Sequence, residues 1–255
     1  MAARRRGRSP RSRPPGGGDL FSVILPTTRP DLLPRALRSI AAQTLAPAEV
    51  LVLHDGGPAP DLGAWPFEVR AIGITPRQGP SAARNALAAL SRSQWLAFLD
   101  DDDEWLPDHL ASLAPAARSA LAFSDAILTH EAEGWSRPFR FRFTPQLLRR
   151  TNPIILSGAA LPKEAFWRVG GFDASLTRYE AWDFFLRLQE AGVGTVRVPQ
   201  ETLHYRFSPR SLTADDARMR ESFRAFCDKH GLRDIGRATF ASMLKDPAFA
   251  ADRDE

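Results

Sequence analysis

The chain has 255 residues, 44% of them hydrophobic, enough to bury a substantial core and near the upper limit for one domain. Its formal charge of +4 becomes −2 once the six arginines of residues 1–18 (MAARRRGRSPRSRPPGGG) are set aside, so the remainder offers no basic nucleic-acid groove. No apolar run approaches the roughly 18 residues needed to span a bilayer, nothing near the start reads as a secretory signal, and the lone Cys227 excludes an internal disulfide and fits a reducing cytosol.

Residues 1–18 are too rich in Arg, Pro, Gly and Ser to fold alone, and read as a disordered basic tail, either a solubilising or start-site extension or a contact for anionic lipid or nucleic acid. From residue 19 onward, apolar β-branched segments alternate with Ala- and Leu-rich helical ones. LFSVILP reads as a strand, PDLLPRALRSIAAQT as a helix, AEVLVLHD and FEVRAIGI as strands, PSAARNALAALSRS as a helix and QWLAFLD as a buried strand. This alternation predicts an α/β fold, a single Rossmann-like domain whose mostly parallel central sheet is flanked by helices. Residues 19–106 read as a nucleotide-binding half.

A helix begins near Pro107, and SALAFSDAIL is a further strand. In the irregular stretch that follows, Phe139, Phe141 and Phe143 alternate with Arg140 and Arg142, the period of a strand with one buried face. IILSGAALP reads as a strand, KEAFWRVG and EAWDFFLRLQEAG as helices, and VGTVRVP and ETLHYRF as two closing strands. These form an α/β second half over residues 107–213, and residues 214–255 read as a helical appendage.

The stretch FLDDDDEW places four aspartates where a buried strand leaves the sheet. Adjacent carboxylates repel, so such a run is either well solvated or holds a cation. In open α/β sheets that carboxyl edge is where ligands bind.

Taken together, SVILPTTRPDLLPRALRSIAAQT, EVLVLHDGG, RQGPSAARNALAAL, WLAFLDDDDEWLPDHL and VGGFDASLTRYEAWDFFLRL resemble, in order, the motifs of a family 2 glycosyltransferase of the GT-A fold. The resemblance covers residues 21 to about 212 and makes residues 19–213 a GT-A glycosyltransferase domain, its second half facing the acceptor. It implies an inverting, metal-dependent transfer of a sugar from a nucleoside diphosphate, with UDP expected, to a carbohydrate or lipid-linked acceptor, in the cytoplasm or against the inner membrane face. Mn2+ or Mg2+ is the implied cofactor, bridging diphosphate oxygens as charge develops on the leaving group.

By the same resemblance Asp102 is the metal ligand, and Asp100 and Asp101 are shared between the metal shell and the ribose, while Asp103 orients the loop. Asp55 accepts a hydrogen bond from the base, Pro26, Thr27 and Thr28 line base and ribose, and Arg84 faces the base edge or the phosphates. Bland roles compete: an Asx turn before Gly56 for Asp55, and a surface ion pair for Arg84.

Three departures stand out. His54 occupies the first of two positions where the family has aspartates, and Ser208 stands where relatives carry a histidine, with His204 nearby. In RYEAWDFF the family's Glu-Asp pair, which supplies the base that takes the acceptor's proton, has Ala181 in its second position. Glu180 is the preferred base. Asp183, three residues on and near the same helical face, is the other candidate. These gaps leave a second expectation, a catalytically degenerate protein that binds sugar nucleotides without transferring sugar.

Overall fold

The structure, a computed structural model, describes residues 21–207, 216–233 and 235–254. The basic segment 1–18 and Ser208 lie outside the described residues. The elements run β1 (Phe21–Thr27), α1 (Leu33–Ala41), β2 (Glu49–Asp55), β3 (Glu68–Ile74), α2 (Pro80–Leu90), β4 (Trp95–Phe98), β5 (Glu104–Trp105) and α3 (His109–Ala117). They continue with β6 (Leu121–His130), β7 (Trp135–Phe139), α4 (Pro145–Arg150), β8 (Ala159–Pro162), α5 (Lys163–Arg168), α6 (Glu180–Glu190), β9 (Thr195–Arg206), α7 (Asp216–His230) and α8 (Phe240–Met243).

Among the described residues nine strands join one mixed sheet in the order β3-β2-β1-β4-β8-β6-β9-β5, with β7 added to β6. The first four are mutually parallel, β8 runs antiparallel to β4 and β6, and the parallel β6–β9 pair forms the second half. Alternation along β1 explains why both faces carry helices. Val23 and Leu25 pack with Leu33, Ala36, Leu37 and Ile40 of α1, whereas Ile24 packs with Ala83, Leu87 and Ala88 of α2 on the other face. The α1 positions repeat at three- and four-residue intervals, one buried stripe of a helix.

Several expected elements change shape. VGTVRVP and ETLHYRF are one strand, β9, because register shifts beside Asp125 absorb Pro199 as a bulge and let pairing resume at Glu201. Of IILSGAALP only Ala159–Pro162 is strand, and Leu156–Gly158 forms a tight turn under the acidic loop. Within that loop Glu104–Trp105 pairs with β9, a two-residue strand too short to leave a period in the sequence. Phe139 ends β7 and Phe141 makes an isolated bridge to Arg253; both are buried, while Arg140 and Arg142 bond Glu201 and Asp254.

The C-terminal residues pack into the same core. Phe226, Met243 and Phe249 are buried, and Arg197 bonds both Asp125 at 2.7 Å and Asp254 at 2.6 Å. Among the described residues no helix is long and apolar enough to cross a membrane.

Phe98, Phe166, Phe172 and Phe184 form a ring cluster that joins β4 to α5 and α6, with Phe166 centroids 5.6 Å from Phe172 and 5.2 Å from Phe184. Truncating a fully buried phenylalanine removes these contacts and leaves a cavity. Phe166→Ala should therefore lower the urea-unfolding free energy by about 3–5 kcal/mol. Its neighbour Trp167, 40% exposed, should cost about 1 kcal/mol or less on truncation, and equal losses for the two would contradict this account of the core.

Candidate active site

The carboxyl ends of β1, β2 and β4 converge on one edge of the sheet, as the parallel register of these strands requires. Pro26, Thr27 and Thr28 leave β1 there, Asp55 ends β2, and the aspartate turn follows β4. The turn after β4 sorts the four aspartates: Asp101 and Asp103 are buried, while Asp100 and Asp102 stay partly exposed.

The buried pair is held by hydrogen bonds. Asp101 accepts from the Thr27 hydroxyl at 2.6 Å and from the Arg29 guanidinium at 2.6 Å. Asp103 accepts from the Ser157 hydroxyl and from the Arg206 amide at 3.1 Å. Burial is the main force raising the Asp101 carboxyl above its ordinary range, against the Thr27 bond and the Arg29 charge. Burial again, with Asp102 and Asp100 nearby, pushes Asp103 well above it. Asp103 is a loop anchor. Ser157 is its counterpart, since its hydroxyl also accepts the Asp100 amide and its carbonyl accepts Trp105 Nε1 at 2.6 Å.

Arg84 joins the two halves of the site. From the second turn of α2 its Nη2 reaches Asp100 at 2.6 Å and its Nη1 lies 3.4 Å from Glu180 at the start of α6. Burial opposes its charge, but Asp100 and Glu180 outweigh burial and raise its pKa. The next residue fixes the approach of the Gly-Gly-Phe-Asp turn: the Asn85 side chain donates to the Phe172 carbonyl and accepts its amide, both at 2.8 Å. A Cβ on Gly171, whose φ is +71°, would lie 2.5 Å from Asn85 Oδ1, so the contact requires glycine.

Asp55 is buried and accepts the amides of Gln78 and Gly79 at 2.7 and 2.8 Å, which shapes the loop before α2. His54 Nδ1 lies 2.8 Å from the Pro58 carbonyl. Between that loop, residues 174–178 and the face of α7 bearing Glu221, Ser222 and Ala225 is a cavity of about 690 Å³.

The two base candidates separate. Glu180 follows Tyr179, whose φ of +61° is a strained left-handed conformation of the kind that aims a following side chain, and its carboxylate keeps 16% exposure beside Arg84. Asp183 is not brought to the cleft. Three residues advance the helix to about 60° from Glu180, enough to turn Asp183 towards α7. There it is fully buried, bonded to Arg187 at 2.8 Å, Lys229 at 2.6 Å and His230 at 2.9 Å. Burial opposes its charge, but these three donors hold the carboxyl well below its usual range.

The oxygen donors of Asp102, with Asp100 beside it, suit a hard divalent ion held jointly with substrate phosphates, the coordination such ions adopt when one or two carboxylates bind them. Among the described residues no three His, Cys, Asp or Glu side chains gather into a protein cage. His204 is engaged by Thr129 at 2.6 Å. Ser157 and Arg29 carry little signal in the sequence; that of Arg29 is its place two residues after Thr27, where β1 ends.

Residues 22–170 match the family description "Glycosyl transferase family 2". The chain is 28% identical to the uncharacterized glycosyltransferase YwdF of Bacillus subtilis, over 88% of this chain and 89% of that protein. It is 39% identical to the succinoglycan biosynthesis protein ExoW of Rhizobium meliloti, over 35% of this chain and 31% of that one. Among solved structures, residues 1–349 of S. aureus TarS in complex with UDP align with a TM-score of 0.58 at 17% identity, covering 88% of this chain and 69% of that chain, a likeness of fold.

Replacing the fully buried Asp183 leaves Arg187 and Lys229 without their carboxylate. Asp183→Asn should lower unfolding stability by about 3–5 kcal/mol at neutral pH and leave nucleotide affinity unchanged. Because the folded Asp183 pKa is depressed, its contribution is present above the unfolded value near about 3.9 and is lost as pH falls through the folded value. Melting curves should show the gap between wild type and variant closing below about pH 4. A gap that widens with acid would contradict the assignment.

Proposed function

The chain belongs to glycosyl transferase family 2 and is a glycosyltransferase, and from that premise we propose that it moves a sugar from UDP to a hydroxyl of a carbohydrate or lipid-linked acceptor with inversion at the anomeric carbon. The observation that carries this reading is the convergence of Asp100, Asp102, Arg84 and Glu180 at the carboxyl edge of the parallel strands. UDP is favoured because a structural neighbour, TarS, was solved with it. A carbohydrate acceptor is supported by relatives such as ExoW, named for succinoglycan biosynthesis. The unpaired Cys227 supports a cytoplasmic setting.

Asp102, with Asp100 beside it, would hold Mn2+ or Mg2+, which when bound stabilises the charge gathering on the departing diphosphate. The remaining work falls to the protein. Thr27 and the turn residues wall the ribose side, and Asp55 shapes the loop that closes over the base. Glu180 takes the acceptor's proton as the hydroxyl oxygen bonds to the anomeric carbon and the bond from that carbon to the phosphate oxygen breaks with its electron pair. Arg84 orients Glu180 against Asp100, so base and donor turn are set by one guanidinium.

A second reading, a donor-binding protein without transfer activity, is favoured by Ala181 in the family's aspartate position and by Asp183 being turned away. The test is turnover of a panel of radiolabelled UDP-sugars with Mn2+, as transfer to sugar acceptors or slow hydrolysis. Glu180→Gln should reduce turnover by about 100-fold or more while leaving UDP affinity within about threefold of wild type. UDP binding without turnover of any donor would establish the second reading, and near wild-type turnover in the variant would remove Glu180 as base.

A further inference from the structure

Arg29 lies at the point where the proposed cation and the acidic turn meet. Its Nη2 is 2.6 Å from Asp101 Oδ1 and 2.7 Å from Asp102 Oδ2, so one nitrogen bridges two adjacent carboxylates as a small cation does. The geometry is built rather than incidental. The Arg29 amide donates to Thr27 Oγ1 at 2.8 Å, and that hydroxyl donates to Asp101 at 2.6 Å, so backbone and side chain of Arg29 grip the same carboxylate from both ends. Arg35 adds a second guanidinium, 3.2 Å from the Asp102 carbonyl and 3.8 Å from Glu104 Oε2, and Arg206 donates to the same Glu104 oxygen at 2.6 Å. The acidic turn is thus charge-compensated by arginines, with Arg84 on Asp100 completing the set.

We propose that Arg29 is a resident counter-cation for Asp101 and Asp102, which a divalent ion displaces only together with a nucleoside diphosphate. The inference rests on the metal-binding reading of Asp102 above. A metal ion approaching Asp102 alone must either break the Arg29 pair on Oδ2 or crowd a guanidinium that still bears its charge. A diphosphate arriving with the ion supplies new oxygens for both cations, since guanidinium and phosphate form strong charge-assisted hydrogen bonds. Metal and nucleotide are therefore coupled through Arg29: each lowers the cost of binding the other, and reciprocally so. The arrangement keeps the turn from collecting divalent ions when no donor is present.

The experiment is Mn2+ binding to the full chain, read from the loss of the free-ion paramagnetic resonance signal, with and without UDP, for wild type, Arg29→Gln, Arg29→Lys and Asp102→Asn. Wild type should bind Mn2+ weakly alone and much more tightly with UDP. Arg29→Gln should bind Mn2+ alone about tenfold more tightly than wild type, and the gain from UDP should shrink by a similar factor. Arg29→Lys, whose compact ammonium cannot span both carboxylates in the same way, should fall between them and guards against a fold defect in the glutamine variant. Metal-alone affinity within about twofold of wild type in both Arg29 variants, or weaker, overturns the proposal. If wild type takes up no Mn2+ even with UDP, or Asp102→Asn is unaffected, the metal reading itself fails and this inference falls with it; a failure confined to the Arg29 variants leaves that reading standing.

Discussion

The Arg84 guanidinium is the interaction on which the rest of the site depends. It is almost fully buried, and a charge there is tolerable only because Asp100 and Glu180 face it from opposite sides. Asp100 belongs to the turn after β4 and Glu180 to the first turn of α6, eighty residues later in the chain. One desolvated side chain therefore sets the spacing between the carboxyl edge of the parallel sheet and the helix that carries the proposed base. The ring cluster of Phe98, Phe166, Phe172 and Phe184 fixes the same two regions by packing, and Arg84 lies 5.6 Å from the Phe172 ring. Apolar packing and an ion triad centred on the buried Arg84 thus enforce one geometry.

The acidic turn follows from the same economy of charge. Four consecutive carboxylates could not persist at a sheet edge if all faced one way. The turn sends Asp101 and Asp103 inward, where Thr27, Ser157 and the Arg206 amide hold them, and leaves Asp100 and Asp102 partly exposed. The inward pair makes the loop rigid, so the outward pair is presented in a defined place. In this sense Asp101 and Asp103 are the frame on which any ligand chemistry of Asp100 and Asp102 depends.

Much of this was legible in the sequence because the signals are local. Continuous apolar runs marked β1, β2 and β4 as buried on both faces, and the order of motifs identified which strand ends would meet. What escaped has long-range causes. Whether Asp183 faces the cleft is decided by Lys229 and His230 on α7, more than forty residues away, and no pattern around Asp183 announces them. The Glu104–Trp105 strand exists only because β9 passes beside it. Pro199 read as a break between two strands, yet a bulge against β6 carries the chain through. Ser157 and Arg29 carry no motif of their own, and their roles appear only when the turns that bear them are brought against the aspartates.

The central claim is that the edge formed by β1, β2 and β4 is a donor-nucleotide site that works through Asp102. The most direct measurement is calorimetric titration of UDP, GDP, CDP and dTDP into wild type and Asp102→Asn, each with and without Mn2+. UDP should bind in preference to the other three, more tightly with Mn2+ in wild type and with no response to the metal in the variant. Absence of binding for all four nucleotides, or UDP binding that responds to Mn2+ equally in both proteins, would contradict it.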